Sequence, residues 1–175
     1  LCHLMAEHIK SLKIDFDFIL GIPHAGSHLG LLVARKLAQS FSVLGQEIPP
    51  KGTIQHPYEI AVGYTPKRGQ RALLFDDTGV SGLSCIEAAL SARKTGLLVQ
   101  DAYVFLDKEE GAKENLARIG VNLHCFITAS DLLDALKMET KIDHEAYNMI
   151  MTDMKTRRED NQNMVSDVLG TPLAS

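Results

Sequence analysis

Short apolar runs alternating with stretches of helical spacing constrain this chain more than anything else in it. The runs lie at 16–21, 41–44, 72–75, 97–106 and 123–127. They are nearly continuous rather than polar at every second position, as strands covered on both faces are. Helical spacing fills 27–39, 84–94, 109–118 and 130–137, with Gly120 closing the third helix and Thr128 or Ser130 opening the fourth. Residues 2–13 carry Leu4, Met5, Ile9 and Leu12 at amphipathic spacing, and 143–158 reads as a last, more polar helix. Strand–helix alternation of this kind predicts βαβ units: an α/β fold with a mainly parallel sheet flanked by helices. The 175 residues suit one domain with its own core, which we place at 1–158, leaving 159–175 as a polar tail or linker.

One segment breaks the alternation. Residues 45–70 hold Pro49, Pro50, Pro57 and Pro66 together with Gly52, Gly63 and Gly69. They read as a long loop with a hairpin around 58–64, and loops of this length are usually functional.

Charge and composition exclude several classes. A formal net charge of −4 gives no general attraction to nucleic acid or an anionic membrane. No apolar run reaches ~18 residues, so no span is expected. No signal peptide is visible, and Cys2, Cys85 and Cys125 are odd in number and widely spaced. They predict buried thiols in a reducing, cytoplasmic setting. No His/Cys pair has zinc-ligand spacing, and His124 and His144 read as structural or surface residues. The basic stretch at 155–158 and the pair Lys67-Arg68 read as solvated surface charge.

In a parallel sheet, ligands sit beyond the carboxyl ends of the strands. Two such ends are rich in small and polar residues: "GIPHAGSHLG" at 21–30 and "LLFDDTGVSGLS" at 73–84. In the second, backbone N–H groups from Gly79 to Ser84, the Ser81 and Ser84 hydroxyls and the start of the following helix form a nest suited to a phosphate. It is not a Walker loop, and the GxGxxG spacing of a dinucleotide fingerprint is absent. Asp76 and Asp77 would repel a bare phosphate. They suit a ligand that also brings hydroxyls or a divalent cation, as a ribose 5-phosphate does. An N-cap and a solvated turn is the plainer alternative for the pair. In the first loop, His24 and His28 read as phosphate contacts or proton carriers, or as ordinary loop and helix-surface histidines.

The stretch "LLFDDTGVSGLS" resembles the phosphoribosyl pyrophosphate motif of type I phosphoribosyltransferases. "GLLVQDAYVFLDKEEGAKENLARIGVNLHCFITASDLLDAL" at 96–136 is similar to the matching part of orotate phosphoribosyltransferase, particularly the domain found in UMP synthase. "DFDFILGIP" is similar to the entry into that family's pyrophosphate loop, and the likeness covers roughly 12–155.

The resemblance implies transfer of ribose 5-phosphate from phosphoribosyl pyrophosphate to orotate, giving orotidine 5′-monophosphate and pyrophosphate in de novo pyrimidine biosynthesis. It implies that Asp76 and Asp77 hold the ribose hydroxyls, directly or through Mg²⁺, which shares its oxygen ligands with substrate phosphates. Thr78, Gly79, Val80, Ser81, Gly82, Leu83 and Ser84 would cradle the 5-phosphate, and His24, Ala25, Gly26 and Ser27 would line the pyrophosphate. Residues 45–70 occupy the place of the family's catalytic loop, with Lys51 and His56 in the catalytic role. A homodimer is implied as well.

The chain departs from the family pattern at three places. The loop carries Lys51, His56, Lys67 and Arg68 but no dense run of Lys and Arg. Lys108 stands where the family has an Arg that meets orotate, and Lys cannot make Arg's planar bidentate contact with a carboxylate. The family's N-terminal hood over the base, with its Lys-x-Gly-x-x-Ser-Pro stretch, has no counterpart within the 175 residues. These departures keep two further readings open: a regulatory module that binds phosphoribosyl pyrophosphate without catalysis, and a phosphoribosyltransferase for another base.

Overall fold

A computed structural model describes residues 1–46 and 58–170. In chain order the elements are α1 (Cys2–Leu12), β1 (Phe18–Gly21), α2 (Ala25–Leu37), β2 (Ser40–Gln46), β3 (Tyr58–Gly63), β4 (Arg71–Gly79) and α3 (Leu83–Lys94). They continue with β5 (Leu98–Asp107), α4 (Ala112–Ala117), β6 (Asn122–Thr128), α5 (Ala129–Met138) and α6 (His144–Gly170).

The strands form one sheet in the order β3-β2-β1-β4-β5-β6. All neighbours pair in parallel except β3, which runs antiparallel to β2 at the edge. The α/β reading therefore holds, whereas the stretch 58–64 expected to form a hairpin holds one edge strand, β3, which pairs with β2 instead of folding back on itself.

Each face of the sheet is covered. On one face α1 and α2 bring Met5, Ile9, Val33 and Ala34 onto Ile19, Leu73, Phe75 and Tyr103. On the other, α3, α4 and α6 bring Ile86, Ala89, Leu116 and Val165 onto Phe18, Leu20, Leu74 and Ala102. Burial on both sides is why the strands read as continuous apolar runs. Among the described residues, no helix is long and apolar enough to cross a membrane.

Three boundaries differ from the sequence expectation by three residues or more. First, β4 does not stop at Phe75 but runs to Gly79, because β5 is there to pair with it: Asp76 lies opposite Val104, Thr78 opposite Leu106 and Gly79 opposite Asp107. The two aspartates are strand residues rather than the start of a turn. Second, α4 spans six residues, not ten. Its start is delayed by Glu109 and Gly111, which both adopt left-handed φ, 58° and 109°.

Third, the last helix does not end at 158, and the stretch expected to be a polar tail continues it to Gly170. Val165 from that stretch is fully buried. The helix escaped the reading because it docks with few apolar residues. Its other contacts are polar: Arg158 Nε donates to the Glu109 carbonyl at 2.7 Å, Asn161 Nδ2 to the Glu110 carbonyl at 2.8 Å, and Arg118 to the Ser166 hydroxyl at 2.6 Å. Residues 171–175 lie outside the described residues.

Candidate active site at the switch point of the sheet

The chain leaves β1 toward β2 on one side, then returns to β4 on the other and proceeds outward to β5 and β6. The reversal between β1 and β4 opens a crevice at their carboxyl ends, the place where α/β sheets bind ligands. Here β4 overruns β1. Gly21, the last residue of β1, pairs with Phe75, and β4 continues for the four residues 76–79. The overrun carries both aspartates past the end of the neighbouring strand.

Two helices begin at this notch. α2 starts after His24 and α3 after Gly82, and neither N-terminus has a side-chain cap. α5, which starts two strands away after β6, has a complete capping box between Thr128 and Asp131. The first helical hydrogen bond of α3 runs from Ile86 N–H to the Gly82 carbonyl, and the Leu83 N–H donates to Ser81 Oγ at 3.4 Å. The amides of Ser84 and Cys85 precede that first bond. Unpaired amides and the helix dipole together favour an anion.

A pocket of about 90 Å³ opens there, lined by Asp76, by Thr78 through Cys85, and by Ala112, Leu116 and Leu123. All seven residues of the expected phosphate cradle are thus brought together, with Asp76 beside them. Asp77 is half-buried next to Asp76 and donates its N–H to Asp76 Oδ1 at 2.9 Å. Gly82 has a φ of 78°, and a Cβ there would lie 3.1 Å from the Ala112 backbone. The turn needs glycine on both counts.

Asp76 is 9% exposed. Burial, then the neighbouring Asp77 carboxyl, push its pKa up to about 7. Burial and the charges of both aspartates also push the Cys85 thiol upward, so this cysteine is an inert core residue.

The pyrophosphate-side expectation divides. Gly26 lies directly against Asp76: a Cβ on it would come within 2.5 Å of Asp76 Oδ1. Ser27 Oγ donates to the Ile22 carbonyl at 2.8 Å, which commits its proton to the turn. His24 and Ala25 are exposed, and His24 takes the unusual φ of 73°. His28 is exposed, with Nδ1 2.9 Å from the His24 carbonyl oxygen. Lys108 follows β5 at the rim, its N–H bonded to the Gly79 carbonyl at 2.9 Å and its side chain exposed. Lys51 and His56 lie outside the described residues.

Sequence reasoning missed Ala112, Asn115 and Leu116, which build the floor under the cradle. The signal available was the inward i, i+3, i+4 spacing of 112, 115 and 116, with an asparagine at one of the buried positions.

No family model matches the chain. It is 32% identical over 149 residues to the orotate phosphoribosyltransferase of Saccharolobus solfataricus, covering 84% of this chain and 73% of that one. The chain belongs to the orotate phosphoribosyltransferase family. A Caenorhabditis elegans orotate phosphoribosyltransferase is 33% identical over 147 residues, and this chain spans 63% of its length. Among solved structures, the orotate phosphoribosyltransferase of Aeropyrum pernix matches with a TM-score of 0.60 and 28% identity, over 70% of this chain and 66% of that one. Leishmania donovani UMP synthase matches with a TM-score of 0.69 over 89% of this chain and 33% of that one. At 22% identity, that match speaks to the fold alone.

Proposed function

We propose that the chain transfers ribose 5-phosphate from phosphoribosyl pyrophosphate to orotate, forming orotidine 5′-monophosphate and pyrophosphate in pyrimidine biosynthesis. The observation that carries this reading is the placement of buried Asp76 in the wall of the uncapped pocket formed by 78–85. One end of that site suits a phosphate and the other a diol. The membership of the chain in the orotate phosphoribosyltransferase family supports the choice of base.

The 5-phosphate accepts from amides of the 80–84 turn, and the Ser81 and Ser84 hydroxyls join them. Asp76 and Asp77 take the ribose hydroxyls. Breaking the bond between C1 and pyrophosphate builds positive charge on the sugar, which the two carboxylates stabilise, and negative charge on the leaving group, which the start of α2 faces. Positioning and exclusion of water account for most of the catalysis. Asp76 and Asp77 would hold Mg²⁺ together with oxygens of the substrate, and the ion would supply charge neutralisation at the departing pyrophosphate. The resemblance supports a homodimer, and the free Cys2, Cys85 and Cys125 support a reducing, cytoplasmic setting.

Loss of orotate absorbance in the presence of phosphoribosyl pyrophosphate and Mg²⁺ tests the proposal. Turnover dependent on all three supports it, and none from a folded sample overturns it. Lys108, in place of the family's Arg, favours a second reading in which the sugar phosphate binds without turnover. Calorimetric binding of phosphoribosyl pyrophosphate by a sample inactive with orotate and with purine bases would support that reading.

A further inference from the structure

Asn115 occupies a core position on α4 and is fully buried. Its Nδ2 donates to the Ser81 carbonyl oxygen at 3.0 Å and lies 3.4 Å from the Asn161 carbonyl oxygen of α6. Its Oδ1 is buried with no hydrogen-bond partner among the described residues. Leaving such an atom unpaired is unfavourable, so a buried amide at this position does not serve stability as well as an apolar residue would. What it does provide is a fixed donor to the middle of the phosphate cradle.

The peptide group is planar and trans, so its carbonyl and N–H point in opposite directions. Drawing the Ser81 carbonyl toward Asn115 turns the Gly82 N–H away from α4. An anion nest depends on this sorting, because a carbonyl facing the phosphate would repel it. The six-residue α4 is itself pinned by α6, through Arg158 and Asn161 bonded to the Glu109 and Glu110 carbonyls.

We propose that Asn115 is a positioning residue for the phosphate pocket, setting the 81–82 peptide from beneath while α6 holds α4 in register. The proposal rests on reading 78–84 as the phosphate site.

The test uses the full chain with Asn115→Leu and Asn115→Asp, and ribose 5-phosphate as the probe. Asn115→Leu removes the unpaired oxygen but also the donor to the Ser81 carbonyl, so the two stability effects offset and the melting temperature should change little. Its affinity for ribose 5-phosphate should nevertheless fall about fivefold to tenfold, the equivalent of one hydrogen bond's worth of organisation. A merely structural role would move the two readouts together. Asn115→Asp should weaken affinity at least as much by placing a carboxylate beside the Ser81 carbonyl. In ligand-free protein, amide exchange across 78–84 should quicken in both variants while the β1 and β4 core stays protected.

Unchanged affinity and unchanged exchange in Asn115→Leu would overturn the proposal. Should the unaltered chain fail to bind ribose 5-phosphate, the phosphate reading falls. Loop exchange then decides the tether by itself, with faster exchange supporting it and equal exchange refuting it.

Discussion

Asp76 is the residue on which site and stability conflict. It is buried between β4 and the start of α2, and its pKa stands near 7 instead of the ordinary 3.8. Between those two values the folded chain keeps a proton that the unfolded chain has released, so stability falls as pH rises through the window. With chelator present and no ligand, the unfolding free energy from urea titration should drop between pH 5 and pH 8, by an amount on the order of 2–3 kcal/mol. Asp76→Asn keeps the acceptor for the Asp77 N–H and removes the ionisation. It should flatten that slope and be the more stable chain at pH 8, and a slope equal to that of the unaltered chain would disprove the assignment. Gly26→Ala attacks the same contact from α2. A methyl 2.5 Å from Asp76 Oδ1 must displace either the carboxyl or the helix start. Ribose 5-phosphate affinity should fall by about tenfold or more, with a stability loss of about 1–3 kcal/mol from overpacking. Calorimetric affinity equal to that of the unaltered chain would show that the contact does not shape the site.

At the level of elements, legibility depended on whether the chemistry was local in the chain. Residues 76–84 could be read as one site because strand end, turn and helix start are consecutive, and in the structure Asp76 and 78–84 line one pocket with Asp77 beside it. Gly26 against Asp76 and Asn115 under Ser81 are contacts across 50 and 34 positions, and no spacing within one element announces them. The overrun of β4 was hidden for a related reason. In "DDTG" only the threonine favours a strand, and the ladder to β5 supplies what propensity does not. α6 was misjudged beyond 158 because its attachment is an apolar anchor at Val165 with polar bonds from Arg158 and Asn161, which leaves little amphipathic pattern. That attachment is measurable. Val165→Ala should cost about 2 kcal/mol in denaturant unfolding, whereas Met149→Ala, on the same helix but exposed, should stay within about 0.5 kcal/mol. Equal effects would mean that α6 is not docked through Val165.

For the molecule as a whole, the site lies where the two halves of the sheet part. β1 and β4 are adjacent central strands, and their helices α2 and α3 cover opposite faces. A ligand held at this notch touches both halves of the core, so its binding should stabilise the domain as one cooperative unit and not a single loop. The net charge of −4 works against general attraction of a phosphate, which leaves local geometry to supply the affinity. Ribose 5-phosphate at about a hundred times its dissociation constant should therefore add about 2.7 kcal/mol, or about 5–10 °C in melting temperature for a chain of this size. The transition should stay single, with its urea m-value unchanged. Asp76→Ala combined with Asp77→Ala should abolish most of the shift while leaving a folded chain. An undiminished shift in that double variant would place the sugar phosphate somewhere other than the crevice between β1 and β4.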